Sequence, residues 1–275
     1  MDMMILINIV VLLAILALTL LAIYLFILVR PPKKTKPDPA LLRDYAHRGL
    51  HNGKDAPENS LAAFEAACQA GYGIELDVQL SRDGKVMVFH DYKLARMTGC
   101  DKKLCELTAE ELTALTLGSS NQTIPTFEEV LSLIDGRVPL LVELKGENFD
   151  TSLCPEVAKL LQNYKGLYCI ESFNPLLIGN MKKLFPKTFC GLLYTNVCRD
   201  KKKHSALNIA LTAMALNVVA RPDFIAFSKH DRDSLPVKIT TKFFGAPKFV
   251  WTVNTREELD TAHKNGELPI FENIF

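Results

Sequence analysis

Gly73-Ile74-Glu75-Leu76-Asp77-Val78-Gln79 is the stretch on which the reading of this chain turns. It is a short apolar run interrupted by two carboxylates. Successive side chains of a strand point to opposite faces, so Glu75 and Asp77 share one face while Ile74, Leu76 and Val78 share the other. The same pattern appears downstream in Leu140-Leu141-Val142-Glu143-Leu144-Lys145, where Glu143 pairs with Lys145. Two further strand-like runs end in reactive side chains, Tyr45-Ala46-His47-Arg48 and Val86-Met87-Val88-Phe89-His90. From Asp44 onward such runs alternate with helical patterns, the signature of βα units around a parallel sheet. Strands are expected at 45–48, 73–79, 86–90, 140–144, 167–171, 190–193, 224–227 and 249–253. Ser60 should cap a helix that Gly71 stops, and helical patterns also cover 107–112 and 126–134.

Three carboxylates on one side of a sheet repel one another unless a cation lies between them, so Glu75, Asp77 and Glu143 are read as ligands of one divalent ion. Oxygen ligands without Cys or His at finger spacing suit Mg²⁺ or Ca²⁺ better than Zn²⁺. His47 and His90 are then left for proton transfer, since imidazole titrates close to neutrality. Arg48 can grip a phosphate oxygen with its forked donors, and Lys145 adds a point charge. Together these parts describe phosphodiester cleavage.

Each motif is weak alone, and the order carries the weight. His47-Arg48-Gly49 is followed by Pro57-Glu58-Asn59-Ser60, Glu75-Leu76-Asp77-Val78, Asp83-Gly84, His90-Asp91 and Glu143-Leu144-Lys145. The series goes on through Ile124-Pro125-Thr126-Phe127-Glu128-Glu129, Ser172-Phe173 and Trp251-Thr252-Val253-Asn254. Over about residues 44–260 the chain resembles the glycerophosphodiester phosphodiesterase family. The resemblance implies a TIM-type (β/α)8 barrel, a divalent cation, and hydrolysis of glycerophosphodiesters to glycerol 3-phosphate and an alcohol. It also implies His47 as general base and His90 as general acid, Trp251 and Phe173 in the substrate pocket, and Glu58 and Asn59 behind the residues that touch metal and phosphate. Trp251 could equally plug the barrel, and Glu58-Asn59 could be a surface turn. Asn265-Gly266-Glu267-Leu268-Pro269-Ile270-Phe271-Glu272-Asn273-Ile274-Phe275 departs from the family's Gly-x-Asp-Gly-Ile-Ile-Thr-Asp-like strand, which leaves closure of the barrel open.

The 275 residues carry 32 Lys and Arg against 31 Asp and Glu, a net charge of +1 that makes no case for nucleic-acid binding. Residues 4–29 are apolar almost throughout and would reach roughly 39 Å as a helix, enough to cross a hydrocarbon core of about 30 Å. A cleaved signal peptide would need a basic start and small residues before the cut, which Met1-Asp2-Met3 and Leu28-Val29-Arg30 do not offer. Residues 1–29 are therefore expected to be a retained single-pass span, 30–40 a basic Pro-rich linker, and 41–275 the barrel, with 92–124 an insertion over its mouth. Arg30, Lys33, Lys34 and Lys36 would hold the catalytic domain on the cytoplasmic side. Seven scattered cysteines (68, 100, 105, 154, 169, 190 and 198) read as free thiols of a reducing compartment.

Arg199 to His204 reads as a solvated loop after the sixth strand, and of the remaining histidines only His51 falls near the proposed site. No residue of the set recognises a headgroup. An acyl chain would need a groove, for which Leu94, Met97, Leu104, Leu107 and Leu112 of the insertion are candidates unless they pack inward. Two rival functions follow: a lysophospholipase D acting on membrane lysolipids, and a degenerate, non-catalytic binding barrel.

Overall fold

A turn of four residues decides how many strands the barrel takes from the first half of the chain. Gly84 N donates to Ser81 O at 3.0 Å and Ser81 N to Lys85 O at 2.9 Å, with Gly84 in the left-handed region at φ +76°. So short a connection can join only antiparallel strands, because parallel neighbours need a crossover of a dozen residues or more. Accordingly β2 (Gly73–Leu80) and β3 (Val86–Val88) form a hairpin. The third strand expected from sequence is thus a flap on β2 and no part of the closed barrel.

The structure is a computed structural model that describes residues 3–30, 36–146 and 149–274. Lys33 and Lys34 of the expected linker, and Phe275 of the tail, lie outside the described residues. The other strands are β1 (Tyr45–Ala46), β4 (Leu140–Leu144), β5 (Tyr168–Ser172), β6 (Cys190–Tyr194), β7 (Phe224–Ser228), β8 (Lys248–Val253) and β9 (Leu268–Phe271). The sheet runs β1-β9-β8-β7-β6-β5-β4-β2-β3, and β1 also pairs with β2. Apart from β2 with β3, every pairing is parallel. Eight parallel strands therefore close a TIM-type barrel, and its last strand is β9, in the tail that departs from the family pattern. β1 is shorter than expected because Arg48 turns into the left-handed region at φ 56°.

Alternation divides the side chains into two sets. Ile74, Leu76, Val78, Val142, Ile170 and Ile225 point outward and are buried with Phe64, Phe127 and Val130 of the surrounding helices. Tyr45, Leu141, Cys169, Phe224, Phe249 and Ile270 plug the interior at the base. Each fully buried side chain of this size contributes about 1.5–3 kcal/mol. Glycine makes room for the rings: a Cβ on Gly191 would lie 2.0 Å from the Phe224 ring and one on Gly73 2.7 Å from that of Tyr45. The inward set becomes polar two residues further on, where Tyr45 gives way to His47, Leu141 to Glu143, Cys169 to Glu171 and Ile270 to Glu272. The polar layer thus sits at the C-terminal ends of the strands, the mouth at which such barrels carry their chemistry.

The expected helix after β1 spans Leu61–Ala70, capped by Ser60 Oγ and ended by Gly71 at φ 75°. The insertion is a small core of its own, in which Leu94, Leu104, Leu107 and Leu112 are buried together with Met87 and Phe89. Its leucines pack inward and so do not form the wall of a groove.

Helix Met3–Ile23 buries no residue against the barrel, and a π-helical turn, Tyr24–Val29, continues it. Met3–Val29 is the one helix among the described residues long and apolar enough to cross a membrane. Its last turns touch the barrel. Tyr24 OH donates to Ala213 O at 2.9 Å, Asn217 Nδ2 to Val29 O at 3.0 Å, and the Phe26 and Phe244 rings meet edge to face at 6.4 Å.

Candidate active site

Glu75 and Asp77 of β2 and Glu143 of β4 are buried, and each offers an oxygen within 4.8 Å of the others. The register of β2 and β4 places Asp77 directly beside Glu143. Lys145, one residue past β4, has Nζ 2.9 Å from Asp77 Oδ1 and 2.7 Å from Glu143 Oε1. The Asp77 contact is an ion pair rather than a well-aimed hydrogen bond, since Oδ1 accepts none. Beside Glu143 in register stands Glu171, buried, its Oε2 also without a hydrogen-bond partner.

Four carboxyl groups around one ammonium leave the cluster short of positive charge. Burial, aided by Asp77 and Glu143, pushes Glu75 well above the carboxylate range. Burial raises Glu143 to about 7 although Lys145 pulls the other way, and it raises Glu171 as well. Burial would raise Asp77 too, but Lys145, His90 and Arg48 together hold it low. An all-oxygen donor set with unpartnered oxygens and carboxyls driven toward protonation fits one hard divalent cation.

His47 follows β1, with Nδ1 2.8 Å from Glu272 Oε2 and Nε2 4.0 Å from Glu75 Oε2. With Nδ1 donating to the carboxylate, Nε2 carries a lone pair directed toward the carboxylate cluster. Glu272 also accepts from Asn254 Nδ2 at 3.0 Å, and Lys229 Nζ holds Asn254 Oδ1 at 3.0 Å and Glu258 Oε1 at 2.7 Å. His51 Nε2 approaches Glu272 at 3.5 Å without a hydrogen bond. Neither Glu272 nor Glu171 was singled out from sequence. Strand parity could have found Glu171, which stands two residues beyond the inward Cys169.

His90 Nδ1 lies 2.6 Å from Asp91 Oδ1, and Arg96 ties both Asp91 and Glu58. Burial pushes His47 and His90 below the ordinary imidazole value, against the pull of Glu272 on the first and Asp77 on the second. Arg48 N donates to Glu75 Oε2 at 2.9 Å and its Nη1 to Glu58 Oε1 at 2.8 Å, while Nε, 3.6 Å from Asp77 Oδ2, has no hydrogen-bond partner. Asn59 Nδ2 donates to Asp77 Oδ2 at 2.8 Å. Glu58 and Asn59 are thus tied to the cluster and are no idle surface turn.

A cavity of about 280 Å³ opens here, lined by His90, Tyr92, Glu143, Lys145, Phe173 and Asn174 among others. Of the expected insertion Tyr92 lines it, and Arg96 is tied to Asp91, which lines it too, and to Glu58. Trp251 does not line the cavity. It packs partly buried on the base plug, donates Nε1 to Ala226 O at 3.1 Å, and meets the half-exposed Phe173 ring at 5.6 Å.

An eight-stranded parallel barrel with a charged layer at the C-terminal ends of its strands has the architecture of a barrel enzyme. The chain belongs to the glycerophosphoryl diester phosphodiesterase family, whose model matches residues 47–273. It is 31% identical over 235 residues to a glycerophosphodiester phosphodiesterase of Caldanaerobacter subterraneus, covering 80% of this chain and 89% of that one. Human glycerophosphodiester phosphodiesterase 1 is 30% identical over 151 residues, 50% of this chain and 44% of the relative. Among solved structures, a phosphodiesterase of Oleispira antarctica in complex with its product sn-glycerol-3-phosphate superposes with a TM-score of 0.70 at 26% identity, covering 87% of this chain and 95% of the other.

Proposed function

We propose that this chain is a membrane-anchored glycerophosphodiester phosphodiesterase that uses one divalent cation, Mg²⁺ or Ca²⁺, and two histidines to release glycerol 3-phosphate and an alcohol. The observation that carries the reading is the meeting of Glu75, Asp77 and Glu143 with a histidine, His47, that Glu272 locks in one orientation. Bound by that triad, the cation would draw a phosphate oxygen and offset the charge that builds on phosphorus. Lys145 and the free Nε of Arg48 add positive charge for the other oxygens, while Glu58 and Asn59 hold Arg48 and Asp77 in place. His47 Nε2 accepts the proton of the nucleophile, which is water or the neighbouring glycerol hydroxyl; in the second case a cyclic phosphate forms first. His90 delivers a proton to the departing alkoxide. Phe173 supplies an apolar wall to the pocket, backed by Trp251.

Met3–Val29 is read as a retained single-pass anchor. The hydrogen bonds of Tyr24 and Val29 to the barrel support retention over cleavage, because a removed leader would have no reason to dock. Arg30 and Lys36, with Lys33 and Lys34 of the sequence, favour a cytoplasmic catalytic domain, and seven free thiols accord with that compartment. A lysophospholipase D would show a large preference for lysolipids, since burying a chain is worth about 0.8 kcal/mol per methylene. The inward packing of the insertion argues against such a groove. The full chain in nanodiscs should turn over glycerophosphocholine and glycerophosphoethanolamine at least as efficiently as lysophosphatidylcholine below micelle formation. A specificity constant about tenfold or more in favour of the lysolipid, equivalent to about 1.4 kcal/mol, would make lysophospholipase D the better description.

A further inference from the structure

The direction in which the anchor meets the barrel decides which end of the barrel faces the lipid. The chain from β6 to β7 descends from mouth to base. Asn196 N, beyond the mouth end of β6, donates to Asp231 Oδ2 beyond the mouth end of β7. Cys198 N donates to Thr212 Oγ1, which keeps helix Ala206–Thr212 at mouth level. Asp223 N donates to Cys190 O at the base end of β6. Along this descent Tyr24 is bonded at Ala213 and Val29 lower down at Asn217. Leu41 lies at the base, where its O accepts from Tyr45 OH beneath the interior plug. The π-helical turn therefore runs down the flank of the barrel, and helix Met3–Ile23 extends the opposite way, past the mouth. Its 21 residues rise about 32 Å, close to one hydrocarbon core.

The surface around that exit is apolar and basic. Leu207 and Ile209 on helix Ala206–Thr212 are 58% and 52% exposed, and Leu235, just beyond the mouth end of β7, is 68% exposed. Lys201, Lys202 and Lys203 are exposed immediately before that helix. The acidic neighbours Asp200 and Asp233 are paired with Arg199 and Lys238, so the lysines set the sign of the patch.

The geometry points to a barrel that lies mouth-first on the membrane its own helix spans, with Leu207, Ile209 and Leu235 at the interface and the three lysines against anionic headgroups. This rests on the reading of the N-terminal apolar helix as a membrane anchor, with Met3–Ile23 as the part that lies in lipid. The catalytic mouth then opens onto the headgroup layer, and basic residues there gain from the surface potential. The contrast is the base end, represented by Leu184 at the close of helix Pro175–Leu184.

The test is quenching by brominated lipid of tryptophan placed singly at these positions in the full chain. Leu207→Trp, Leu235→Trp and Leu184→Trp would be reconstituted in phosphatidylcholine–phosphatidylglycerol vesicles, with the wild-type protein, which has Trp251 alone, as the baseline and turnover of glycerophosphocholine as the check of folding. Leu207→Trp and Leu235→Trp should be quenched beyond the baseline and Leu184→Trp should not. Absent quenching at 207 and 235, or equal quenching at 184, in a protein that resists alkaline carbonate extraction overturns the orientation alone. Extraction by carbonate overturns the span and the orientation with it.

Discussion

A histidine serves as a base through the ring nitrogen that carries the lone pair, and at His47 Glu272, at 2.8 Å from Nδ1, fixes which nitrogen that is. The five residues that carry most of the proposed chemistry, His47, Glu75, Asp77, His90 and Glu143, were legible because each lies in or just after an apolar strand whose parity is plain. Glu272 was not, since Pro269 and the unfamiliar tail hide its strand, and Glu171 was passed over because no second charged residue shares its run. His47→Ala and His90→Ala should each lower turnover on the order of 10²-fold or more with an unchanged circular dichroism spectrum. Retained activity would remove that histidine from the mechanism. The raised carboxyls make a second, signed prediction. Glu75 is pushed well above its ordinary value and Glu143 up to about 7, so near neutrality the metal-free triad holds protons that a cation must displace. Affinity for Mg²⁺ or Ca²⁺ should therefore weaken as pH falls from 8 to 6, with protons released on binding. Calorimetry showing equal affinity at both pH values would contradict the triad as the site.

At the scale of elements, the sequence yielded every strand but β9 and misassigned the place of β3. The length of the turn at 81–84 forbids a parallel third strand. The β9 error was harder to avoid, because Leu268–Phe271 carries a proline and only four residues, and its strand character comes from pairing with β1 and β8. The insertion poses the converse case. Periodicity marked its leucines as apolar without saying what they pack against, and only the assembled cluster shows them turned toward one another. Leu104→Ala should then cost about 2–5 kcal/mol in denaturant unfolding, the usual range for a buried leucine. The ratio of specificity constants for glycerophosphocholine and lysophosphatidylcholine should stay the same. A changed ratio with unchanged stability would mean that this residue faces substrate after all.

For the molecule as a whole, hydropathy alone marks a helix long and apolar enough to cross a membrane, while the docking of its last turns could not be read from sequence. The partners of Tyr24 and Val29 lie 189 and 188 residues away, and no local pattern encodes a contact made across that distance. The same holds for the barrel mouth, which gathers side chains from β1, β2, β4, β5 and the tail into one charged layer that no single segment displays. We propose that this layer hydrolyses glycerophosphodiesters with a divalent cation in the triad. The most direct measurement follows glycerophosphocholine by phosphorus NMR with the purified full chain, first with Mg²⁺ or Ca²⁺, then with excess chelator, then with the metal restored. Glycerol 3-phosphate should appear, stop appearing under chelation and return with the metal in the wild type, and fail to return in Asp77→Ala. Full turnover in excess chelator, or in Asp77→Ala, would contradict the account.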